Sequence, residues 1–524
     1  MQGYLSLVLH AHLPFVRHPE HEKFLEENWL FEAIIETYVP LLQLLEGWQR
    51  DGMEARLTLT LTPPLCAMLR DPLLQDRFTR HLEELINLAE KEIHRTLWEK
   101  PFHELALFYH ERFVAVRKFY LACNGDLIAE FRKFQELGRL EIITSAATHA
   151  LLPLLATHPP SLRAQILVAR DHYRSCFGRE PRGIWLPECG YVEGLETVLM
   201  EGNLRWFITD THGILHARPH PRYAIFAPIV TPNGVAAFGR DLDSARQVWS
   251  RSEGYPGDPR YREFYRDIGF DLDFDYVQPY LPAKEQRGFT GIKYYRITGT
   301  SELKEVYERK SAVQAADGHA GHFLEARMQQ IHRLREILER PPIIVSPYDA
   351  ELFGHWWYEG PEFLDYFVRK AYFDQQVFSL ITPGDYLERH PTNQMATPAG
   401  SSWGEHGYWS VWLNEKNEWI YPHLNIAQDR MTELARRFTE PEPLQKRALQ
   451  QAARELLLAQ SSDWPFILRT GTSPDYARRR VKEHVLRFTR IYEQLSNSQV
   501  DEAWLAEMEE RDNIFPDVNY KYFA

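Results

Sequence analysis

Along the first 400 residues, segments whose apolar residues recur at helical spacing alternate with segments in which every second residue is apolar. The segment "LFEAIIETYVPLLQLLEGWQRDG" (30–52) spaces its apolar residues as a helix does and ends in glycine, and "EARLTLTLTPP" (54–64) then alternates with period two. The same succession recurs in "LIAEFRKFQELGRLEIITSAATHALLP" (127–153) and "FLEARMQQIHRLREILERPPIIVSPYDAE" (323–351). Strands that alternate with helices imply a parallel sheet, and this many units favour an α/β fold of the (β/α)-barrel type.

Three segments interrupt this alternation and define the expected domains. Residues 70–125 are helical without a clear strand and predict a helical insertion, while residues 213–290, rich in Pro, Gly, Arg and Tyr, predict a lid or loop region. After about residue 415 only amphipathic helices follow. We therefore expect a catalytic barrel domain of residues 1–69 and 126–414 and a C-terminal helical domain of residues 415–524.

The overall composition excludes several classes of protein. The net charge of −13 argues against nucleic acid as the main ligand. We find no stretch of roughly 18 apolar residues that would span a membrane, and the start "MQGYLSLVLHAHLPF" lacks the basic region of a signal peptide. The four cysteines show no CxxC spacing, so reduced thiols and a cytoplasmic enzyme are the expectation.

Four predicted strands end in polar side chains. These are His10 and His12 in "LVLHAHLP", His149 in "EIITSAATHA", Glu188 in "IWLPECGY" and Asp349 in "IIVSPYDAE". A strand-end acid is most often a helix cap or a salt-bridge partner. In a parallel barrel, however, all such ends meet at one rim, which is where active sites form.

Two carboxylates at one rim are the arrangement that glycoside chemistry requires. One acid protonates the leaving oxygen while the other attacks the sugar or activates water. The chain is rich in aromatic residues, with 14 Trp, 26 Tyr and 29 Phe, and flat faces suit sugar rings. His355, Trp356 and Trp357 follow Asp349 closely, so we expect Trp357 to contact a sugar and to help dry the site.

A metal-dependent hydrolase is the rival interpretation of the same residues. A strand-borne His10-Ala-His12 can bind a divalent metal, and His149, His212 and Asp349 could complete the ligand set. The spacing alone does not exclude this possibility. Against it, the sequence contains no HExxH motif or Cys/His cluster, and the tryptophans would lack a purpose.

Six segments in order resemble family 57 of the glycoside hydrolases, most closely its 1,4-α-glucan branching enzymes. The segments are "HAHLPF" (10–15), "EIITSAATHALLP" (141–153), "GIWLPECGY" (183–191), "SPYDAELFGHWW" (346–357), "SSWGEHGYWSVWLN" (401–414) and "LLLAQSSDWPFI" (456–467). The resemblance spans almost the whole chain. It implies a seven-stranded (β/α) barrel with a helical insertion and a C-terminal helical domain, and a retaining mechanism without a metal or other cofactor.

The resemblance also implies roles for the strand-end residues. Glu188, in the third segment, would be the nucleophile, and Asp349, in the fourth, the acid/base. His10, His12 and His149 would line the donor sugar pocket, with support of the carboxylates as the alternative role.

The resemblance implies further substrate contacts, of which only Arg262 and Gly291 lie in segments that align less securely. Trp403 resembles a sugar-stacking tryptophan of the family, and Asp463 a contact from the helical domain. Arg262 and Gly291 are also candidates. Tyr223, in "PRYAIFAPIV", is our candidate for the tyrosine that branching members carry on the lid loop, although Phe226 stands where related sequences have a tyrosine.

The expected activity is the transfer of α-1,4-glucan chains to glucose 6-hydroxyls, on amylose, amylopectin or glycogen. An α-amylase or 4-α-glucanotransferase on the same scaffold is the alternative, and a non-catalytic glucan-binding protein is disfavoured by the two carboxylates. No nucleic-acid or membrane partner is expected, and the protein is expected to be a monomer or a small homo-oligomer.

Overall fold

The computed structural model describes residues 2–250, 254–283, 286–301 and 303–524. Within these residues the strands are β1 (Gly3–Ala11), β2 (Leu57–Leu61), β3 (Leu140–Ile143), β4 (Gly183–Trp185), β5 (Trp206–Thr209), β6 (Ile229–Val230), β7 (Ala236–Gly239), β8 (Ile343–Asp349), β9 (Phe378–Leu380) and β10 (Gln394–Met395).

The helices from the amino terminus to β8 are α1 (Asn28–Ala33), α2 (Val39–Arg50), α3 (Pro63–Leu69), α4 (Pro72–Arg95), α5 (Lys100–Ala122), α6 (Leu127–Glu136), α7 (Leu152–Leu155), α8 (Pro159–Phe177), α9 (Leu195–Glu201), α10 (Thr211–Leu215), α11 (Leu242–Trp249), α12 (Ile268–Asp271), α13 (Phe274–Val277) and α14 (Arg309–Ile337). Those that follow are α15 (Gly360–Phe373), α16 (Pro383–Arg389), α17 (Ile420–Arg437), α18 (Pro443–Ala459), α19 (Asp463–Thr470), α20 (Pro474–Ser496) and α21 (Glu502–Arg511).

Seven parallel strands form a ring in the order β1, β2, β3, β4, β5, β7, β8. Regular parallel ladders join β8 to β1, β1 to β2, β2 to β3, β4 to β5 and β5 to β7. The other two joints are single links: a bridge between Thr144 and Ile184, and a hydrogen bond of 2.9 Å from the Asp241 N–H to the Val345 carbonyl. The prediction of a (β/α)7-type barrel is confirmed.

Strand alternation decides which side chains enter the barrel. Val8, Trp206, Ile208 and Val345 share one buried cluster inside the ring, while the intervening leucines of β1 and β2 pack against the outer helices. Successive strand residues point to opposite faces. His10 and His12 therefore share the inward direction of Val8, and Asp349 shares that of Val345.

Helices from outside the ring complete the molecule. The long pair α4 and α5 occupies most of the predicted insertion, and α17 to α21 follow the barrel. The C-terminal helices dock where Ala150 bridges Ser461 and where the Ser462 N–H donates to the His149 carbonyl at 3.1 Å. In the described part of the chain, no helix combines the length and apolarity needed to cross a bilayer.

The segment 213–290 is more ordered than its composition predicted. It contains β6, β7 and α11, and β7 is a strand of the barrel. β7 is only four residues long and directly precedes a charged pair, which hid its alternation. The prediction of loop structure is therefore wrong for the residues that β6, β7 and α11 occupy, and the lid role stays a prediction.

Candidate active site

Three histidines stack at the carboxyl end of β1. The ring centroids of His12 and His149 lie 3.8 Å apart, and those of His10 and His149 lie 5.0 Å apart. His10 also stacks on Trp185 at 4.6 Å. Burial lowers the pKa values of His10 and His149, and the charge of neighbouring imidazoles lowers them further, so both rings are neutral.

A relay of hydrogen bonds runs from His10 to Glu188. His10 Nε2 lies 3.0 Å from His149 Nε2, His149 Nδ1 lies 2.9 Å from Ser462 Oγ, and Ser462 Oγ lies 3.1 Å from Glu188 Oε1. The Ser462 hydroxyl donates its one proton to the carboxylate, so it accepts from the His149 Nδ1–H. Neutral His149 then has a bare Nε2, which accepts from the His10 Nε2–H.

Glu188 sits on a backbone turn that aims its carboxylate at this relay. It lies in the short turn Pro187–Cys189 after β4, with φ 61° and ψ 23°. A left-handed conformation costs a non-glycine residue roughly 1–2 kcal/mol, and such costs concentrate at functional sites. Trp403 holds the turn by donating its backbone N–H to the Glu188 carbonyl at 2.9 Å and its indole Nε1–H to Oε2 at 2.8 Å.

Asp349 stands beside His10 but in different surroundings. It ends β8, where its register partner on β1 is His10. Among the described residues, its carboxyl forms no hydrogen bond or ion pair, whereas both oxygens of Glu188 accept one. Burial, followed by the charges of Glu351 and Glu188, raises the pKa of Asp349 well above its usual value.

The two carboxyls therefore differ in their proton affinity. Burial raises the pKa of Glu188 to about 7, although its hydrogen bonds from Trp403 and Ser462 favour the ionised form. Asp349 lacks such donors among the described residues, so burial and the neighbouring acids favour its protonated form. One neutral acid and one carboxylate at the same rim is the state from which an acid-assisted displacement starts.

The C-terminal domain supplies a third acid to the site. Asp463, the first residue of α19, places Oδ1 and Oδ2 at 3.0 and 3.1 Å from His12 Nε2, and Ser461 donates to its Oδ2. Burial alone would lower the pKa of His12, but the charge of Asp463 raises it, while His12 lowers that of Asp463 against the effect of burial. Asp463 thus favours the protonated form of His12, whose Nδ1 lies 3.0 Å from Thr62 Oγ1.

Three supporting residues of the site were not among those predicted from the sequence. Glu351 accepts the His12 backbone N–H at 3.1 Å and the Tyr38 hydroxyl at 2.5 Å, and burial raises its pKa to about 6. Arg240 pairs with Asp210 at 3.2 Å and lies 5.5 Å from the ring of Trp403. Ser462 and Glu351 lie within two of the six segments that resemble family 57, and Arg240 directly follows a strand. Their positions in the sequence were therefore the only indication that they belong to the site.

Trp403 begins an aromatic strip that leads to the surface. Its ring stacks with Trp249 at 6.5 Å, and Trp249 meets Trp356 edge to face at 6.0 Å. Trp249 is 41% exposed and Trp356 is 46% exposed. Trp356, and not Trp357, is therefore the aromatic of this pair that a sugar can reach.

Trp357 itself lies in the protein core. It is 1% exposed and packs on Tyr261 and Phe363. The expectation that it touches substrate is wrong, because the short turn after β8 points the first indole outward and the second inward.

Arg262 and Gly291 lie in a buried ionic network beside the site. Arg262 donates to Glu36 Oε1 at 2.9 Å and covers the Tyr358 ring at 3.6 Å, with a side chain only 1% exposed. Gly291 has φ 85° and donates its N–H to Asp267 Oδ2 at 2.8 Å. Arg262 is thus out of reach of a sugar in this conformation, and Gly291 serves a turn.

Tyr223 lies at the opposite end of the barrel from Glu188. Its ring packs under Arg222 and Arg340, at 5.5 and 5.6 Å, and Phe226 in the same turn accepts the N–H of Ile343, where β8 begins. The assignment of Tyr223 as a lid tyrosine is wrong, since carboxyl ends and amino ends of parallel strands form opposite rims.

Ligand atoms of His12, His149 and Asp463 lie within 4.8 Å of one another, but the orientation of the two imidazole rings does not suit a shared metal ion. Ring nitrogens bind metals through lone pairs in the ring plane. His12 and His149 are stacked with an interplanar angle of only 17°, so their lone pairs run side by side and do not converge. His212 is engaged elsewhere, with Asp210 at 3.2 Å and the Gly407 carbonyl at 2.9 Å.

Comparison with known proteins defines the class of this barrel. A sequence model described as glycosyl hydrolase family 57 matches residues 6–399. The chain belongs to this family, which confirms the resemblance inferred from its six segments. A second model, described as 1,4-alpha-glucan branching enzyme, C-terminal, matches residues 423–523.

Some similar proteins are named branching enzymes and one is named an alpha-amylase. The chain is 34% identical over 555 aligned positions to a 1,4-alpha-glucan branching enzyme of Thermococcus kodakarensis, covering 98% of this chain and 78% of the relative. The solved family 57 branching enzyme of Pyrococcus horikoshii is 33% identical, with TM-score 0.89 and coverage of 100% and 97%. The solved alpha-amylase AmyC of Thermotoga maritima is 45% identical, with TM-score 0.94 and coverage of 100% and 99%.

Proposed function

We propose that this chain is a retaining 1,4-α-glucan branching enzyme. The observation that carries the proposal is the pair of partly buried carboxyls at one rim, of which Glu188 accepts two hydrogen bonds and Asp349 none among the described residues. Family membership and relatives named as branching enzymes indicate α-1,4-glucan as the substrate class.

The first step is attack on the anomeric carbon of an α-1,4-linked glucose. The Glu188 carboxylate forms the bond to carbon, the glycosidic bond breaks, and Asp349 gives its proton to the departing oxygen. In the second step Asp349, now ionised, takes the proton from a glucose 6-hydroxyl of another chain, whose oxygen displaces Glu188. An α-1,6 bond results, and both carboxyls regain their starting protonation.

The histidines and Asp463 are placed to hold the donor sugar. His12 and Asp463 together form a nearly neutral pair, so they can exchange hydrogen bonds with hydroxyls without adding net charge beside Glu188. The relay through His149 and Ser462 fixes the Glu188 carboxylate before substrate arrives, which is the preorganisation that electrostatic catalysis needs.

Hydrolysis is the second candidate, because a 45% identical structure is named an alpha-amylase. The same glycosyl-enzyme serves both outcomes, and the choice between water and a 6-hydroxyl depends on how dry the site stays. The Trp403–Trp249–Trp356 strip gives an acceptor chain an aromatic surface beside Glu188. This strip, together with the C-terminal match to branching enzymes, favours transfer.

Incubation with amylose followed by proton NMR of the anomeric region tests the proposal. We expect new α-1,6 signals with little rise in reducing ends. Release of reducing ends without α-1,6 signals would make the chain an amylase, and α-1,4 chain redistribution alone would make it a 4-α-glucanotransferase. Prior exhaustive treatment with EDTA should leave the rate unchanged, since no step above uses a metal.

We place the enzyme in the cytoplasm, where it would act on glycogen-type glucans during their synthesis. All four cysteines are free thiols in the structure, as expected for a reducing compartment. The expectation of a monomer or small homo-oligomer stands as a prediction.

A further inference from the structure

A cavity of about 330 Å³ lies between α11 and α14, and the glucan chemistry above does not use it. Three arginines line this cavity: Arg246 comes from α11, and Arg327 and Arg333 come from α14. The chain as a whole has a net charge of −13, so the cavity is a local concentration of the opposite charge. Its chemistry therefore points to an anionic ligand.

Arg327 is the fixed member of the three arginines. Its side chain is 4% exposed, its NH2 donates to Gln247 Oε1 at 2.9 Å, and its NH1 lies 3.5 Å from Asp241 Oδ2. Asp241 is fixed in turn, because it caps α11 by accepting the Ser244 N–H at 2.8 Å. Arg327 Nε is buried and has no hydrogen-bond partner among the described residues. The protein thus holds this guanidinium in place without satisfying all of its donors.

Arg246 and Arg333 are the free members. Both are exposed, and within the part of the chain that the structure describes neither side chain forms a hydrogen bond or an ion pair. Asp243 lies one turn before Arg246 and lines the same cavity, yet it forms no ion pair with a described residue. Two unpaired arginines therefore face one unpaired carboxylate, and the Arg327–Asp241 pair adds no net charge. The cavity retains an excess of positive charge.

The rest of the lining is polar. Gln247 and Gln329 contribute amide groups, and the remaining lining residue, Ala326, is the only apolar one among those described. Gln329 donates to Glu325 Oε1 at 2.8 Å, which leaves its own amide oxygen as an acceptor. Guanidinium groups bind phosphate oxygens through paired N–H donors, and the volume lies at the lower end of the range of small-molecule sites. A small phosphorylated molecule fits both the charge and the size.

We propose that the cavity between α11 and α14 binds a phosphate group, either free or as the ester of a small polar molecule such as a sugar. Arg246 and Arg333 pair with the phosphate oxygens, and Arg327 adds a charge whose position is already fixed. The amides of Gln247 and Gln329 exchange hydrogen bonds with hydroxyl groups of an ester. Since Arg327 is ordered before the ligand arrives, binding loses little side-chain entropy at that residue.

The test is isothermal titration calorimetry of the full chain in a phosphate-free buffer at low salt, with inorganic phosphate and glucose 6-phosphate as probes. We expect saturable binding at one site per chain, and weaker binding as salt is added, because salt screens exposed charges. Tighter binding of glucose 6-phosphate than of inorganic phosphate would identify an ester as the ligand, and equal affinities would identify the phosphate group alone. The absence of saturable binding of either probe would overturn the proposal.

Three variants and one matched control locate the binding. Arg246→Gln and Arg333→Gln should each weaken binding of both probes by about tenfold or more, because each loses a charge-assisted hydrogen bond. Asp243→Asn should tighten binding by about threefold, since it removes a solvent-screened repulsion, and a folding defect would not produce such a gain. Arg205→Gln changes an exposed arginine outside the cavity and should bind as the wild type does.

Affinities of Arg246→Gln and Arg333→Gln equal to that of the Arg205→Gln control would place the phosphate elsewhere and overturn the proposal. The readout is phosphate binding, so it stands or fails independently of the proposed glucan activity.

Discussion

Two of the clusters that combine histidine with carboxylates among the described residues have closely grouped ligand atoms, and only one of the two resembles a site. At the barrel rim, Asp463 and Glu188 are 15% and 14% exposed in their side chains. In the C-terminal domain Glu455, His484 and Asp512 are completely buried, with Glu455 Oε2 at 2.6 Å from His484 Nδ1. The residue types are the same, so composition does not distinguish the two clusters.

What differs is the supply of opposite charge to particular carboxylates: Glu455, which forms no ion pair with an arginine among the described residues, also has a pKa raised by burial, whereas Asp512 has two arginines. Arg487 NH1 and Arg480 NH2 lie 2.6 and 3.2 Å from the two oxygens of Asp512. Burial would raise the pKa of Asp512, but these guanidinium groups and His484 lower it to about 2. At the rim no arginine or lysine forms an ion pair with Glu188 or Asp349 within the described residues, and both pKa values are raised. A buried carboxylate without a fixed cation can exchange protons near neutral pH, and one with two cations cannot.

The largest effect is expected from Glu188→Gln, which removes the proposed nucleophile while keeping its shape. We expect kcat to fall by about 10⁴-fold or more, since loss of a nucleophile removes the covalent route. The amide retains a hydrogen-bond acceptor for Trp403, so thermal unfolding should change little. Branching assays and calorimetry on the same sample check both statements. Activity within tenfold of wild type would contradict the assignment of Glu188.

Asp512→Asn should reverse this pattern, with lower stability and unchanged catalysis. It leaves the Arg480 and Arg487 charges buried without their partner, which costs about 3–5 kcal/mol in the free energy of unfolding. The folded pKa of about 2 lies below that of an unfolded aspartate, about 3.9. The contribution is therefore complete above about pH 4 and is lost as the pH falls toward 2.

Asp463→Asn is the matched control for Asp512→Asn, because it removes an aspartate charge paired with His12 at the rim. We expect a smaller loss of stability but a rise in KM or a fall in kcat. Denaturant unfolding and glucan kinetics measure the two variants together. Equal losses of stability and of activity in the two variants would contradict the difference between the two clusters.

The smallest effect is expected from Trp403→Phe, which removes one hydrogen bond from the Glu188 carboxylate. Since that bond favours ionisation, the pKa of Glu188 should rise above its present value of about 7. The acid limb of the profile of kcat/KM against pH should move upward, because the nucleophile must be ionised. An acid limb at the same pH as in the wild type would mean that Trp403 does not influence the pKa of Glu188.

The site residues that could be predicted from the sequence are those whose direction is set by strand alternation. His10, His12 and Asp349 occupy the alternate positions whose side chains point into the barrel, and Glu188 follows the end of another strand. The residues of the rim could therefore be predicted. Trp357 could not, because a turn follows β8 and parity is lost there.

Longer-range structure limited the remaining predictions. Ser462 acts through the docking of α19 on the barrel, and Tyr223 was misplaced because its loop follows no period that assigns it to a rim. The boundaries proposed for the insertion and for the C-terminal domain stay predictions.

The bond from Ser462 to Glu188 spans 274 positions of the chain, which has a consequence for biosynthesis. Ribosomes add about 5–20 residues per second, so roughly 15–55 s pass between the synthesis of the nucleophile and that of its hydroxyl donor. Throughout that interval the nascent barrel carries Glu188 without the Ser462–His149 relay. We therefore expect newly made enzyme to be catalytically silent until α19 has emerged, and a message truncated before α19 to yield no chain able to remodel stored polysaccharide.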